Sequence, residues 1–216
     1  MSILRALCLT LLPTGVLACG APVCLVDPDS LALTRVITFD DIHSGAGPGR
    51  NVDDILPLDG AVFGERFAGQ YVAAADTHDQ IDGTALSPLT LMPGAKGQNL
   101  SVVRFSGNAV INGYGVAGYP RREAQGEGAI AVLFDNDQSD LSFHLRGGEA
   151  GVALVTFHRR DGSVIYRVPI DPTGEFAVGF ARADGTRDIA GFILTNTDPQ
   201  GLAMDTLRFG KPADLS

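Results

Sequence analysis

From Thr34 onward the chain alternates short apolar runs with clusters of turn-forming residues, the pattern of many antiparallel strands rather than of strand–helix units. The runs predict strands at 35–39, 61–67, 70–74, 100–105, 109–111, 129–134, 140–146, 151–159, 163–170, 175–181, 188–195 and 202–209. Leu141, Phe143 and Leu145 alternate with Ser142, His144 and Arg146, giving one apolar and one polar face, as a half-buried strand requires. Val152 to Phe157, then Asp161-Gly162, then Val164, Tyr166, Val168 and Ile170 predict a hairpin, because Asp-Gly readily supplies the positive φ of a tight turn. Ala183-Asp184-Gly185-Thr186 reads as a second turn of that type. The stretches 40–60 and 76–97 read as long loops, where binding residues concentrate. About a dozen strands suffice for two packed sheets, so the expected fold is all-β, an antiparallel β-sandwich of jelly-roll type. With no internal repeat or sharp linker, residues 31–210 read as a single domain, with 211–216 as a tail.

Composition sharpens this picture. Of 25 acidic residues 20 are Asp and five are Glu, and Lys occurs only at Lys96 and Lys211, so the best charged helix formers are scarce and turn formers abundant. The formal net charge of −9 disfavours nucleic acid as a partner, since phosphate contacts need clustered Lys and Arg.

Arg5, the apolar run Ala6 to Leu12, the break Pro13-Thr14-Gly15 and the small Ala18 make residues 1–18 a secretory signal peptide, too short in its apolar part to span a bilayer. Its removal leaves 15 basic residues against 25 acidic ones, a charge of about −10. Val16-Leu17-Ala18-Cys19 is also a loose match to a bacterial lipoprotein signal with a lipid anchor at Cys19. Alternatively, Cys19 and Cys24 close a disulfide loop in an oxidising compartment. Residues 19–30 therefore read as an N-terminal tether or disulfide arm, and either alternative places the protein in the periplasm, on the outer membrane or outside the cell.

The sharpest candidate for ion chemistry is acidic. A period of two groups Asp41 with Ile37 and Phe39, and Asp205 with Leu207 and Phe209, so each carboxylate is aligned with a core-facing row. If the two strands are antiparallel neighbours, both acids lie at one end of the sandwich. There they need an Arg or a cation between them, and a structural Ca²⁺ suits oxygen ligands in an exported protein. Asp135-Asn136-Asp137 matches only a fragment of a calcium loop and reads as a turn.

Ile37-Thr38-Phe39-Asp40-Asp41, Phe157 to Ser163, Ile189-Ala190-Gly191-Phe192 and Leu202 to Phe209 together resemble exported jelly-roll domains of the galactose-binding and carbohydrate-binding-module type. The resemblance covers the ends and about the last 60 residues through short motifs. It implies that the first and last strands pair, and that acids matching Asp41 and Asp205 hold a structural Ca²⁺.

Sugar binding needs flat aromatic faces beside hydrogen-bonding groups. The glycine-rich stretch Asn112 to Arg122 offers Tyr114, Tyr119 and Arg121 for this, with Tyr71 as a further ring, although the chain has no Trp and four Tyr. Catalysis has weaker support. The four His (His43, His78, His144, His158) lack metal-ligand spacing, with His144 and His158 reading as solvent- or strand-facing; Glu65 with an Asp is one pair of acids that could serve hydrolysis. Three functions follow in order: an exported glycan-binding domain with a structural calcium; a protein-interaction or structural envelope domain (lipoprotein) without sugar binding; and a glycoside- or polysaccharide-acting hydrolase. The first predicts an exposed cluster of Tyr114, Tyr119 and Arg121; the second, an apolar patch or open edge strand; the third, a cleft with two facing acids.

Overall fold

The structure, a computed structural model, describes residues 19–75, 77–105, 107–148 and 150–212. The expected signal peptide, with Cys8, lies outside the described residues. Two antiparallel sheets face one another. The larger has nine strands, ordered Val23–Val26, Glu175–Arg182, Asp140–Gly147, Leu202–Phe209, Ala109–Tyr114, Leu100–Arg104 and Arg50–Val52, with Gln125–Gly128 added beside Ala109–Tyr114 and Arg35–Ile37 beside Leu202–Phe209. The smaller runs Val164–Ile170, Ala153–His158, Ile189–Asn196, Ile130–Gln138, Ala61–Gly64 and Leu56–Leu58. The protein is thus an all-β sandwich. The strand Arg35–Ile37 pairs with the final strand through Leu207 opposite Ile37. No helix among the described residues is long and apolar enough to cross a membrane.

Alternation builds the core. Leu141, Phe143 and Leu145 point between the sheets, as do Phe180 and Phe209, and they meet Phe134, Phe157 and Phe192 from the smaller sheet. The rings interlock: Phe143 stacks on Phe192 with centroids 5.4 Å apart and planes 14° apart, and Phe157 meets Phe180 edge-on at 5.1 Å. With no Trp in the chain, phenylalanine supplies the large apolar volume that holds the sheets together.

Several segments depart from the sequence expectations. The stretches 40–60 and 76–97 contain the strands Arg50–Val52, Leu56–Leu58, His78–Gly83 and Leu91–Met92, whose shortness and Asp, Pro and Gly content hide them. Residues 19–30 are more than a tether, because Val23–Val26 pairs along Glu175–Arg182 at the sheet edge; Cys19 and Cys24 are joined by a disulfide. The Asp161-Gly162 hairpin forms, with Gly162 at φ 87° and its Cα so near the Ala85 carbonyl that a Cβ would lie 2.6 Å from the oxygen. The turn at Asp184-Gly185 instead carries the chain from one sheet to the other. Asp135-Asn136-Asp137 lies within the strand Ile130–Gln138 rather than in a turn, and Asp137 binds Arg160 at 2.6 Å.

The outer faces of the two sheets differ. On the smaller sheet, Ala131, Ala190 and Ile193 face outward and are covered by Phe67, Ala85, Leu89 and Leu91, so the segment spanning two short hairpins, Arg66–Phe67 with Leu91–Met92 and Gln70–Ala75 with His78–Gly83, packs over it as a third layer. The outer face of the nine-stranded sheet is polar and is overlain by loops at its edges. Phe192→Ala removes the ring that touches Phe134, Phe143 and Phe157, and it should lower unfolding free energy by about 3–5 kcal/mol. Urea denaturation checks this, and a loss below 1 kcal/mol would contradict this account of the core.

Candidate functional site

Five strands and an edge strand set one row of side chains across the outer face of the nine-stranded sheet: Asn51, Ser101, Asn112, Ala203, Arg146 and Glu175 stand opposite one another in unbroken register. They face outward because their neighbours Val102, Ile111, Met204 and Leu145 face the core. The next row carries Val103, Val110, Asp205 and His144. Above these rows, three segments contribute Ala46 to Pro48, then Pro120, Arg122, Gln125 and Gly126, and then Gln200 to Leu202, and they border a cavity of about 550 Å³. The size is that of a small-ligand site. The second and third loops touch through glycines: a Cβ on Gly201 (φ 75°) would lie 2.3 Å from the Gln125 carbonyl oxygen, so only glycine lets this wall close.

The floor combines satisfied and unsatisfied polar groups. Ser101 Oγ donates to Asn112 Oδ1 at 3.0 Å, and Asn112, only 2% exposed, lines the cavity floor. Arg146 Nη1 binds Glu175 at 2.5 Å and its Nη2 reaches Asp205 at 3.5 Å. Three buried side-chain atoms on this face, Asn51 Oδ1, His144 Nδ1 and Arg146 Nε, have no partner among the described residues. Orphaned buried polar atoms are costly unless something else satisfies them. At the rim the Phe105 ring is 52% exposed and lines the cavity.

The sequence-predicted binding residues take other roles. Tyr114 is fully buried, so it offers no ring face to a ligand, which corrects the expected exposed cluster. Its hydroxyl donates to the Pro48 carbonyl at 3.4 Å, while Tyr119, set edge-on to it at 5.5 Å, donates to the Gly49 carbonyl at 3.2 Å. Burial pushes the Tyr114 phenol up to about 12, so it remains a donor throughout the neutral range. The two tyrosines thus brace one cavity wall from behind. Arg121 is exposed and lies outside the cavity lining, whereas Arg122, one residue on, lines it. The loop from Asn112 to Arg122, with both its arginines, is legible in the sequence; the facing of Asn112 and the place of Phe105 are not, because facing depends on strand pairing. Tyr71 is exposed on the far hairpin.

Asp41 and Asp205 do not form the expected pair. The strand Arg35–Ile37 ends before Asp41, which is exposed in a turn, and it is Asp40 whose Oδ1 accepts the Ala109 N–H at 2.7 Å. Thr206, at φ 49°, forms a bulge that sets Asp205 opposite His144 on the outer face, away from Leu207 and Phe209. The group that neutralises Asp205 is Arg146, and among the described residues no cluster of three metal-ligating side chains exists. These residues do not fit a calcium site.

The remaining expectations concern other surfaces. Of the two alternatives for His158, solvent or a neighbouring strand, the second holds: it is buried, with Nδ1 3.2 Å from the Gly162 carbonyl and its ring edge-on to Phe67; desolvation lowers its pKa. Edge strands Leu56–Leu58 and Val164–Ile170 carry Pro57 and Pro169, each of which removes a donor that edge pairing would use. Glu65 and Asp79 line one small cavity of about 200 Å³ that is below the usual range of ligand pockets. Burial, together with the charges of Glu65 and Glu127 and against the Ala129 N–H bond, raises Asp79 to about 7; burial also raises Glu65 against the opposing charge of Arg66.

No protein-family model matches the sequence, and no curated protein does. Among solved structures, a mutant of CBM29-2 complexed with mannohexaose, from work on ligand recognition by family 29 carbohydrate binding modules, is similar over 68% of this chain and 92% of that one. The identity is 12% and the TM-score 0.20, too low for that likeness to bear on fold or ligand here.

Asp79 makes stability depend on pH with a known sign. A carboxyl whose folded pKa lies above its unfolded value keeps its proton longer in the folded state, so its contribution is full below about pH 4 and is lost as pH rises toward 7. Asp79→Asn should remove part of that decline, by up to a few kcal/mol between pH 4.5 and 8. Denaturation midpoints of both proteins across this range check it; parallel curves would refute the assignment.

Proposed function

We propose that this chain is a carbohydrate-binding domain whose site is the cavity on the outer face of the nine-stranded sheet. The observation that carries this reading is the pairing of one exposed aromatic ring, Phe105, with a buried amide donor, Asn112, in one concave site. A pyranose has an apolar CH face and a rim of hydroxyls. The first suits a ring such as Phe105, and the second suits Asn112 Nδ2, Gln125 and Gln200, which all border the cavity. The unpartnered Nε of Arg146, in the cavity lining, supplies a donor that a hydroxyl or a bridging water would satisfy. The domain acts outside the cytoplasm, consistent with the signal-like first 18 residues and a Cys19–Cys24 disulfide. Binding without turnover is the role, since the cavity lining contains no carboxylate to act as acid or base.

Phe105→Ala should weaken oligosaccharide binding by tenfold or more in isothermal titration, while leaving the unfolding free energy within about 0.5 kcal/mol because the ring is exposed. Unchanged affinity for every bound sugar would remove Phe105, and with it the observation that supports this function.

A further inference from the structure

Asp79 joins the hairpin formed by Gln70–Ala75 and His78–Gly83 to the body of the sandwich. It is 4% exposed, shares the sheet-facing side of its strand with Ile81, and its Oδ2 accepts the Ala129 N–H at 3.1 Å. Two further buried carboxyls approach it from other elements. Glu65 lines the same small cavity, and Glu127, on Gln125–Gly128, lies by the turn of the hairpin: a Cβ on Gly115 would be 2.8 Å from Glu127 Cβ and 2.6 Å from the Thr77 carbonyl oxygen. Among the described residues the one base acting on Asp79 is Arg66, which is already bonded to Glu65, and Glu127 Oε2 has no partner. With all three acids ionised the cluster would hold more negative charge than Arg66 can balance, whereas undocking the hairpin would return Asp79 to water. The other titratable and charged groups near the hairpin do not act on Asp79. His78 donates through Nε2 to the Asp198 carbonyl in either charge state, Asp82 is exposed, and His158 and Arg167 border the separate cavity of about 630 Å³ beside the hairpin.

The same hairpin touches two segments that wall the outer-face cavity. Both segments cross between the sheets: Gln125–Gly128 leads from the larger sheet into Ile130–Gln138 of the smaller, and residues 197–201 lead from Ile189–Asn196 of the smaller back to Leu202–Phe209 of the larger. Gln125, Gly126, Gln200 and Gly201 border the cavity, while the Glu127 charge acts on Asp79 and the Asp198 carbonyl accepts His78 Nε2 at 2.9 Å. That carbonyl also accepts the Gly201 N–H at 2.9 Å, and Asp198 Oδ1 accepts the Gln200 N–H at 2.9 Å. We propose that the hairpin is a pH-sensitive brace for this wall, docked firmly while Asp79 is protonated and loosened when it ionises, so that the cavity is better ordered in acid than at neutral pH. The effect on ligand binding rests on the carbohydrate reading of that cavity. The sign follows from linkage. Burial and the neighbouring acids hold the docked Asp79 proton up to about pH 7, so protonation favours docking most below about pH 4, and that advantage is lost as pH rises to about 7 and is gone above it.

The test is amide hydrogen exchange on the full mature chain, residues 19–216, between pH 4.5 and 8, with protection corrected for the intrinsic pH dependence of exchange. Protection of the 79–82 amides should fall by about tenfold or more between pH 4.5 and 7 and then level off. It should stay below that of the central strand Asp140–Gly147 throughout, which marks the opening as local, and the Gln200 and Gly201 amides should fall in parallel. Asp79→Asn should flatten the hairpin profile. Glu127→Gln, which leaves the Ala129 bond intact, should shrink the pH response without abolishing it, and it keeps the test open if Asp79→Asn does not fold. A flat wild-type profile, an Asp79→Asn profile like that of the wild type, or hairpin protection equal to the central strand at every pH would overturn the switch. Hairpin amides that respond while Gln200 and Gly201 do not would overturn the brace. Any neutral hexose oligomer that binds should bind more tightly at pH 5 than at pH 7.5 and should raise hairpin protection in return, since coupling between two sites is reciprocal; equal affinity at both would overturn the coupling. Binding of no oligomer at either pH would overturn the carbohydrate reading, while the exchange profiles, measured without ligand, still decide the brace.

Discussion

Thr206 occupies a left-handed backbone conformation, φ 49°, that costs a β-branched residue energy, and the arrangement of the outer face depends on it. Without the bulge, strict alternation along Leu202–Phe209 would put Asp205 beside Leu207 and Phe209 between the sheets, where an unpaired carboxylate could not remain charged. With it, Met204 and Leu207 both face the core while Asp205 points outward to Arg146. The same strand pairs with Asp140–Gly147 on one side and with Ala109–Tyr114 and Arg35–Ile37 on the other. One inserted residue therefore fixes both the packing below and the polar row above.

Strand identity was legible wherever a run was long enough to alternate. All twelve predicted segments correspond to observed strands, because one buried face imposes a period of two on composition. The unforeseen strands are short, lie at edges or in hairpins, and gain their order from backbone pairing that leaves little apolar signature; Arg50–Val52 and Gln125–Gly128 are examples. Facing was less legible than strand identity. Asp205 was assigned to the wrong side because nothing in Met204-Asp205-Thr206-Leu207 announces a bulge. Tyr114 was expected at the surface because a glycine-rich neighbourhood reads as an exposed loop, whereas the loop above folds back and its Pro48 carbonyl receives the phenol. The stretch Asn112 to Arg122 was nonetheless recognised as a candidate binding loop, and it does border the cavity through Asn112, Pro120 and Arg122.

Electrostatics follow the same division between pattern and geometry. Composition alone shows an acidic chain, and the described ion pairs occupy several arginines, Arg159 and Arg182 with Asp188, Arg160 with Asp137 and Arg35 with Asp59 among them. Only the fold shows where the other arginines lie, Arg122 bordering the outer-face cavity and Arg167 the cavity on the opposite side. Exposed pairs such as Arg35–Asp59 contribute little stability individually, whereas Arg182 is buried between Asp188 and the Pro22 carbonyl and fixes the sheet edge there.

The contrast between the two outer faces explains why the recess lies where it does. Outward positions of the smaller sheet are apolar, with Ala131, Ala190 and Ile193, and the hydrophobic effect draws the segment carrying Phe67, Leu89 and Leu91 over them. That face is spent on the protein's own packing, and its cover buries Asp79 at the cost of a raised pKa. Outward positions of the larger sheet are Asn, Ser, Arg and Asp, with only the small cluster of Val103, Val110 and Ala203 among them. No segment of the chain gains enough by lying flat on such a surface, so the loops meet only at its edges, through Gly126 and Gly201 and through the tyrosine braces. A polar floor held rigid by a phenylalanine core, walled but not filled, is left with unsatisfied donors and acceptors that a polar ligand can complete.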